Sequence, residues 1–264
     1  MNILQALILG LIQGLTEFIP VSSSGHLVIM HELIGASGGL TFDVALHLGT
    51  LAALILFFYK DLLSLASSLV KKSKQTRLAW LLILATIPAV ITGVLLESAA
   101  ENQFRSLSLV SINLLIVALV MLIAEYYFKH RTKKTLLNET SKGQAISMGL
   151  AQAAAVIPGV SRSGATITAG LFGGMDRVAA TRFSFLLGVP IIFGASLKVL
   201  IKPDAFSQIG PQADIFIIGI FAAFISGFWA IKFLLRYLAK HSLNIFAYYR
   251  IGLALTILLS LALF

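Results

Sequence analysis

Two short polar stretches interrupt an otherwise apolar chain, and they hold residue types that nucleophilic and anion-binding chemistry requires. The first carries Gln13 and Glu17, then Ser22, Ser23, Ser24, Gly25 and His26; the second carries Ser161, Arg162, Ser163, Gly164 and Ala165. Gln13 precedes Glu17 by about one helical turn, so both side chains share a face. Two oxygen-bearing groups there suit a hard divalent cation, Mg²⁺ or Ca²⁺, that keeps waters attached. The plainer reading of Gln13 is a helix-packing hydrogen bond. Ser22, Ser23, Ser24 and Gly25 form a hydroxyl-rich turn whose backbone N–H groups can cradle an anion. Serine also caps helices, and a capped helix start favours phosphate as well. His26 follows Ser23 closely enough to give a serine nucleophile the acid or base it needs. Arg162, between Ser161 and Ser163 and ahead of Gly164, offers a bidentate fork for a phosphate. Glu17 and Arg162 are ionisable groups inside apolar segments, where a charge is costly and usually functional. The alternative is a buried Glu17–Arg162 ion pair that only joins two parts of the chain.

The elements that position these residues belong in a membrane. Of 264 residues, 58% are hydrophobic and 12% are charged, against about 25% charged in an ordinary soluble domain. A water-soluble fold of this length cannot hide so much apolar surface. The absence of cysteine excludes disulfides, thiolate metal sites and cysteine nucleophiles. The net charge of +9 does not imply nucleic acid, because the basic residues sit in short connections between apolar runs. The apolar start has no basic leader and runs into Gln13, Glu17 and the serines, so it is expected to be a structural segment, not a cleaved signal.

A bilayer core of about 30 Å needs roughly 20 apolar residues per helix. Six stretches qualify: residues 42–59, 78–96, 107–128, 183–201, 214–231 and 245–264. The connections 60–77 and 129–142 hold five Lys/Arg each, and 232–244 holds three. These are expected on the cytoplasmic side, with the poorly basic connections around Arg105 and Lys202 outside. Residues 1–41 and 143–182 are each broken by Pro, Gly and Ser. Broken backbone survives at membrane depth only when buried in protein or lining a wet cavity, so each reads as a re-entrant helical hairpin. His47, Asp43, Glu125 and Arg250 fall near span ends and read as structural or interfacial; His31, His130 and His241 read as solvated loop residues.

The chain also repeats itself. A shift of 139 residues aligns positions 5–25 with 144–164 without a gap, and nine of the 21 pairs are identical. Chance gives roughly one or two such matches. Each copy precedes three spans, so the copies are expected to enter the membrane from opposite sides, as an inverted-topology repeat of residues 1–142 and 143–264 within one membrane domain. The differences between the copies assign them unequal work. Glu17 faces Val156 in the alignment, Ser23 faces Arg162, and His26 faces Ala165.

These residues resemble the bacterial undecaprenyl-diphosphate phosphatases of the bacitracin-resistance type. The likeness rests on the Glu/Gln-x-x-x-Glu motif met by Gln13 and Glu17, followed by the run from Phe18 to His26. It rests also on the run from Pro158 to Thr166, on Arg182 to Leu187 with Pro190, and on Phe246 to Arg250. The resemblance implies hydrolysis of undecaprenyl diphosphate to undecaprenyl phosphate and inorganic phosphate, recycling the cell-wall lipid carrier and conferring bacitracin resistance. It implies Ser23 as nucleophile with His26 as acid/base partner, Glu17 and Gln13 on Mg²⁺ or Ca²⁺, and Arg162 on the diphosphate. The choice of Ser23 over Ser22 comes from the resemblance alone. A second class of lipid phosphatase shares a Ser-Gly-His core but needs basic residues upstream, and none precedes His26.

The expected protein is therefore an all-α polytopic membrane enzyme with six spanning helices and two re-entrant hairpins. Its partners are a polyprenyl diphosphate and the bilayer of the bacterial cytoplasmic membrane, with the site opening outward; a homodimer stays open. The competing reading is a transporter or flippase for an anionic lipid or small anion, since inverted repeats with broken helices are transporter architecture. Transport, however, has no need of a nucleophile beside a base.

Overall fold

Each half of the chain starts from a reciprocal side-chain cap. At the start of α1 (Ile3–Phe18), Asn2 accepts the Gln5 N–H at 2.9 Å while Gln5 Oε1 accepts the Asn2 N–H at 2.9 Å. Ser141 and Gln144 repeat this at the start of α7 (Lys142–Ala154), at 2.8 and 3.2 Å. Such a box satisfies two of the four orphan donors at a helix start. The same glutamines do a second job. Gln5 Nε2 donates to the carbonyl of Ile34 at 2.9 Å, at the far end of α2 (Ser23–Ile34). Gln144 Nε2 donates to the carbonyl of Gly173 at 2.9 Å, just past α8 (Arg162–Phe172). Both helix pairs thus return to the level where they began. At 1.5 Å per residue, the 16 residues of α1 and 13 of α7 reach about 24 and 20 Å, short of a bilayer core of about 30 Å.

The computed structural model describes residues 1–36, 39–102, 106–201 and 209–263. The remaining helices are α3 (Gly39–Phe57), α4 (Tyr59–Val70), α5 (Thr76–Asn102), α6 (Leu107–Lys129), α9 (Arg177–Leu200), α10 (Ala213–Leu238) and α11 (Asn244–Leu263). The five from α5 onward, hairpin helices apart, are long and apolar enough to cross a membrane, and α3 with α4 makes a sixth candidate bent by 76°. The protein is an all-helical, multi-pass membrane protein. Large apolar side chains such as Leu33, Trp80, Ile217, Phe221 and Trp229 remain exposed on its outer face, as a lipid-facing surface requires.

Three expectations need correction. The connection 60–77 is mostly helix: α4 follows α3 after the bend, with Leu62, Leu65, Ala66 and Leu69 at the spacing of one apolar helix face. The connection after residue 96 is shorter than expected, because α5 continues to Asn102. His31 is no solvated loop residue; it sits in α2 and pairs with Asp43 at 2.7 Å. Arg105 and Lys202 lie outside the described residues.

The halves interlock. α1 packs chiefly on α10, and α7 chiefly on α5, so each hairpin lies against a long helix of the other half. Small residues make this possible, as they do between membrane helices generally. A Cβ on Gly10 would meet the Gly219 carbonyl at 2.3 Å, and one on its repeat mate Gly149 would meet the Ala85 carbonyl at 2.3 Å. Helices of the second half start at 142, 162, 177, 213 and 244, against 3, 23, 39, 76 and 107 in the first. The offsets (139, 139, 138, 137 and 137) follow the sequence shift. Ion pairs tie the frame at its polar ends: Arg177 forks onto Glu125, and Arg182 meets Asp61 at 2.8 Å.

Candidate functional site

The break after α1 is written in Ile19 and Pro20. Proline has no N–H to continue a helix, and the chain turns at Ser22 before α2 begins. Ser22 and Ser161 adopt φ of 76° and 73°, the two non-glycine residues with positive φ among the described residues. An L-residue pays about 1 kcal/mol or more for that conformation. Each accepts the N–H of the glycine three positions on, Gly25 at 3.3 Å and Gly164 at 3.1 Å, as the N-cap of its helix. Each also shares its hydroxyl with the serine two positions on, Ser24 and Ser163, at 3.3 Å. The two turns are the same device built twice.

The turns touch. The Gly159 N–H reaches Ser24 Oγ at 3.4 Å, and Ser163 Oγ reaches the Ile19 carbonyl at 3.4 Å. Arg250 fastens them from behind. Its guanidinium is fully buried, and it donates to the carbonyls of Pro20 in one turn and Gly159 and Val160 in the other, at 3.4, 2.8 and 3.2 Å. Further bonds to Leu114 and Asn113 engage α6. A buried charge with no carboxylate partner among the described residues is tolerable here because carbonyl dipoles surround it. The sequence placed Arg250 among structural residues, and it is structural in a specific way: it sets the spacing between the two turns.

At the junction, Glu17 is the hub. Its Oε2 accepts the Ser23 hydroxyl at 2.6 Å and Gln13 Nε2 at 3.2 Å, while Oε1 accepts Arg162 Nη2 at 3.0 Å. Glu17 is 7% exposed and Gln13 is fully buried, so the hub is shielded from bulk solvent. Arg162 is the first residue of α8. It crosses α9 at Gly188, where a Cβ would stand 1.9 Å from Nη1. Its Nη1 donates to the Ser184 carbonyl at 3.3 Å, and its buried Nε has no partner among the described residues. A guanidinium with spare donors beside a hydroxyl-rich helix start is equipped to grip a phosphate.

The serines are not equivalent. Ser22 is fully buried and committed to its cap, whereas Ser23 is half-buried with its hydroxyl on a carboxylate. The acceptor for Ser23 is therefore Glu17, from across the turn, and not His26. His26 Nδ1 lies 2.7 Å from the Ser22 carbonyl, which can only accept, so that nitrogen carries a proton. Its Nε2 lies 2.7 Å from the Tyr249 hydroxyl, and the two rings stack at 5.6 Å. Sequence reasoning gave no role to Tyr249, which lies in the Phe246–Arg250 run, and read His47 as structural or interfacial near a span end, whereas it lies near the middle of α3. His47 Nε2 stands 3.7 Å from Glu17 Oε2. No local spacing tied either to the serine turns, because both arrive from distant helices.

Comparison with known proteins gives the family. Residues 6–256 match the family described as Bacitracin resistance protein BacA. An undecaprenyl-diphosphatase of Moorella thermoacetica is 46% identical over 257 residues, covering 96% of each chain. One of Desulforudis audaxviator is 44% identical, covering 98% of this chain and 97% of the relative. One of Methanosphaera stadtmanae is 39% identical over the full length of both.

Proposed function

Since the chain belongs to the bacitracin resistance protein BacA family, we propose that it is a membrane phosphatase hydrolysing undecaprenyl diphosphate to undecaprenyl phosphate and inorganic phosphate. The observation that carries this reading is Ser23 Oγ held 2.6 Å from Glu17, whose other oxygen holds Arg162 at 3.0 Å. A nucleophile, its proton acceptor and an anion grip thus meet in one buried place. A transporter would bind the same anion without needing the Ser23–Glu17 pair.

Two displacements follow from this arrangement. Ser23 Oγ attacks the terminal phosphorus of the diphosphate while Glu17 withdraws its proton, and undecaprenyl phosphate leaves with the bridging oxygen. Water then attacks the phosphoserine, releasing inorganic phosphate and returning the hydroxyl. His26 Nε2 takes up the proton of the attacking water through the Tyr249 hydroxyl and gives it up as inorganic phosphate leaves. Arg162 holds the diphosphate oxygens through its spare donors, with Ser24, Gly25, Ser161, Ser163 and Gly164 lining the cradle. The donor set fits a hard cation: one carboxylate, and the Gln13 Oε1, buried and without a partner among the described residues. Mg²⁺ or Ca²⁺ held by Glu17 and Gln13 would supply charge neutralisation when bound.

Phosphate release from a polyprenyl diphosphate by the purified protein in detergent tests the reading. Ser23→Ala and Glu17→Ala should each lower kcat by about a thousandfold or more while the melting temperature holds. Binding of the lipid without any phosphate release by the wild type would sink the enzyme and leave the transporter. We place the enzyme in the cytoplasmic membrane with the site facing outward. A membrane-impermeant thiol reagent should then label Asn102→Cys and spare Ser73→Cys; the reverse pattern would invert the orientation.

A further inference from the structure

Glu17 faces one more side chain that neither the motifs nor the names of the relatives account for. His47, near the middle of α3, holds Nε2 3.7 Å from Glu17 Oε2. Its Nδ1 lies 3.0 Å from the backbone carbonyl of Asp43 one turn earlier. A carbonyl only accepts, so that contact keeps a proton on Nδ1 and leaves a lone pair on Nε2 of the neutral ring. This lone pair looks across the gap at an anionic oxygen. Two lone pairs in that arrangement repel unless Nε2 takes a proton and pairs with the carboxylate or a cation stands between them.

The gap of 3.7 Å is too long for a hydrogen bond and has the right width for an ion. With bonds of about 2.0–2.1 Å to imidazole nitrogen and about 2.0–2.2 Å to carboxylate oxygen, one cation bridges any separation up to about 4.2 Å. A second observation points to the same place. Gln13 is fully buried, its Nε2 is 3.2 Å from the same Glu17 oxygen, and its Oε1 has no partner among the described residues. Amide oxygen and nitrogen exchange by a simple flip, which turns that orphaned acceptor toward the gap. A His Nδ1–H fixed on a backbone carbonyl, with Nε2 free to ligate, is also how metal-binding histidines are commonly oriented.

We propose that His47 Nε2 is a ligand of the divalent cation at Glu17, with Gln13 Oε1 completing the protein's share. The rest of the coordination sphere belongs to substrate phosphate and water, since no cluster of three His, Cys, Asp or Glu occurs among the described residues. An imidazole in the set favours first-row transition ions over Mg²⁺ and Ca²⁺, which prefer oxygen alone. The inference rests on the reading that Glu17 holds a cation.

Mn²⁺ is the probe, because its free and bound forms are told apart by electron paramagnetic resonance. The full-length wild type in detergent, with inorganic phosphate present, should bind Mn²⁺ and show nitrogen modulation from one imidazole in a pulsed experiment. His47→Ala should lose that modulation and bind Mn²⁺ about 10- to 100-fold more weakly. His47→Gln, which keeps a neutral donor, should recover part of the affinity without the nitrogen signal. Wild-type Mn²⁺ bound without nitrogen modulation, or His47→Ala binding as tightly as wild type, would overturn the inference while leaving Glu17 as the cation's ligand. No Mn²⁺ binding by the wild type would overturn the cation reading itself. The nitrogen signal is read on the unmutated protein, so a variant that fails to fold does not decide the matter.

Discussion

The turns at Ser22 and Ser161 share a backbone and differ in everything that could react. Both open a helix from a serine at positive φ, both cap onto a glycine three residues on, and both are gripped by Arg250. Beyond that frame, one turn presents Ser23 and His26 where the other presents Arg162 and Ala165. The same strained, anion-friendly helix start occurs twice. In the proposed reading one turn carries the nucleophile and the other the grip, and Glu17 holds both through its two oxygens. Identity between the copies marks scaffold, and difference marks chemistry.

Removing the grip is the largest test of that division. Arg162→Ala should lower kcat/KM by about a thousandfold, the usual scale for an arginine on a transferring phosphoryl group. It should also free Glu17 Oε1 without touching either serine cap, so the fold should persist by circular dichroism. A loss below about tenfold would mean that the second turn is scaffold only.

A finer test moves Arg162 without changing it. Gly188→Ala puts a methyl where the guanidinium now lies, 1.9 Å from Nη1. The side chain must shift, and misplacements of about 1 Å can cost a hundredfold in rate. An activity loss of about 10- to 100-fold, with the melting temperature nearly unchanged, is expected. Wild-type activity would show that the position of Arg162 against α9 does not matter.

Much of this arrangement was legible in the sequence, for physical reasons that also explain the gaps. Lipid forces long apolar runs, so the spans announce themselves. The serine turns were found because the repeat preserved them. What escaped is α4, whose apolar face at Leu62, Leu65, Ala66 and Leu69 was readable but was outweighed by the charge of its flanks. The partner of Ser23 escaped as well. Proximity along the chain pointed to His26, whereas the fold brings Glu17 from the preceding helix to 2.6 Å and turns His26 toward Tyr249. His47 and Tyr249 join the site from helices distant in sequence, and only Tyr249 lay in a run that the resemblance had marked. Contacts of that kind are tertiary, and no local pattern encodes them.

Tyr249 belongs to neither turn, which makes it a sharper probe of the reactive one. Tyr249→Phe keeps the ring stacked on His26 and removes the hydroxyl 2.7 Å from Nε2. If His26 exchanges its proton through that hydroxyl, kcat should fall about tenfold, at the low end of acid–base effects, with KM unchanged. An equal change in KM alone would make Tyr249 a binding residue.

The smallest effects concern what the turns share. At Ser22 and Ser161, alanine removes the cap and keeps the strain of positive φ, whereas glycine removes both. Losing a serine cap to alanine costs about 0.5–2 kcal/mol, but to glycine only a few tenths. Relief of the left-handed strain is worth about 1 kcal/mol or more. Glycine should therefore be neutral or slightly stabilising at both positions, and alanine destabilising, in thermal unfolding of the detergent-solubilised protein. The sign of the difference should match between the two turns, because it depends on backbone alone. Activity should separate them only as far as the missing hydroxyl disturbs Ser24 in one turn and Ser163 in the other. A stability order that reversed between Ser22 and Ser161 would show that the two turns are not one device, and the division into common scaffold and divergent chemistry would fall with it.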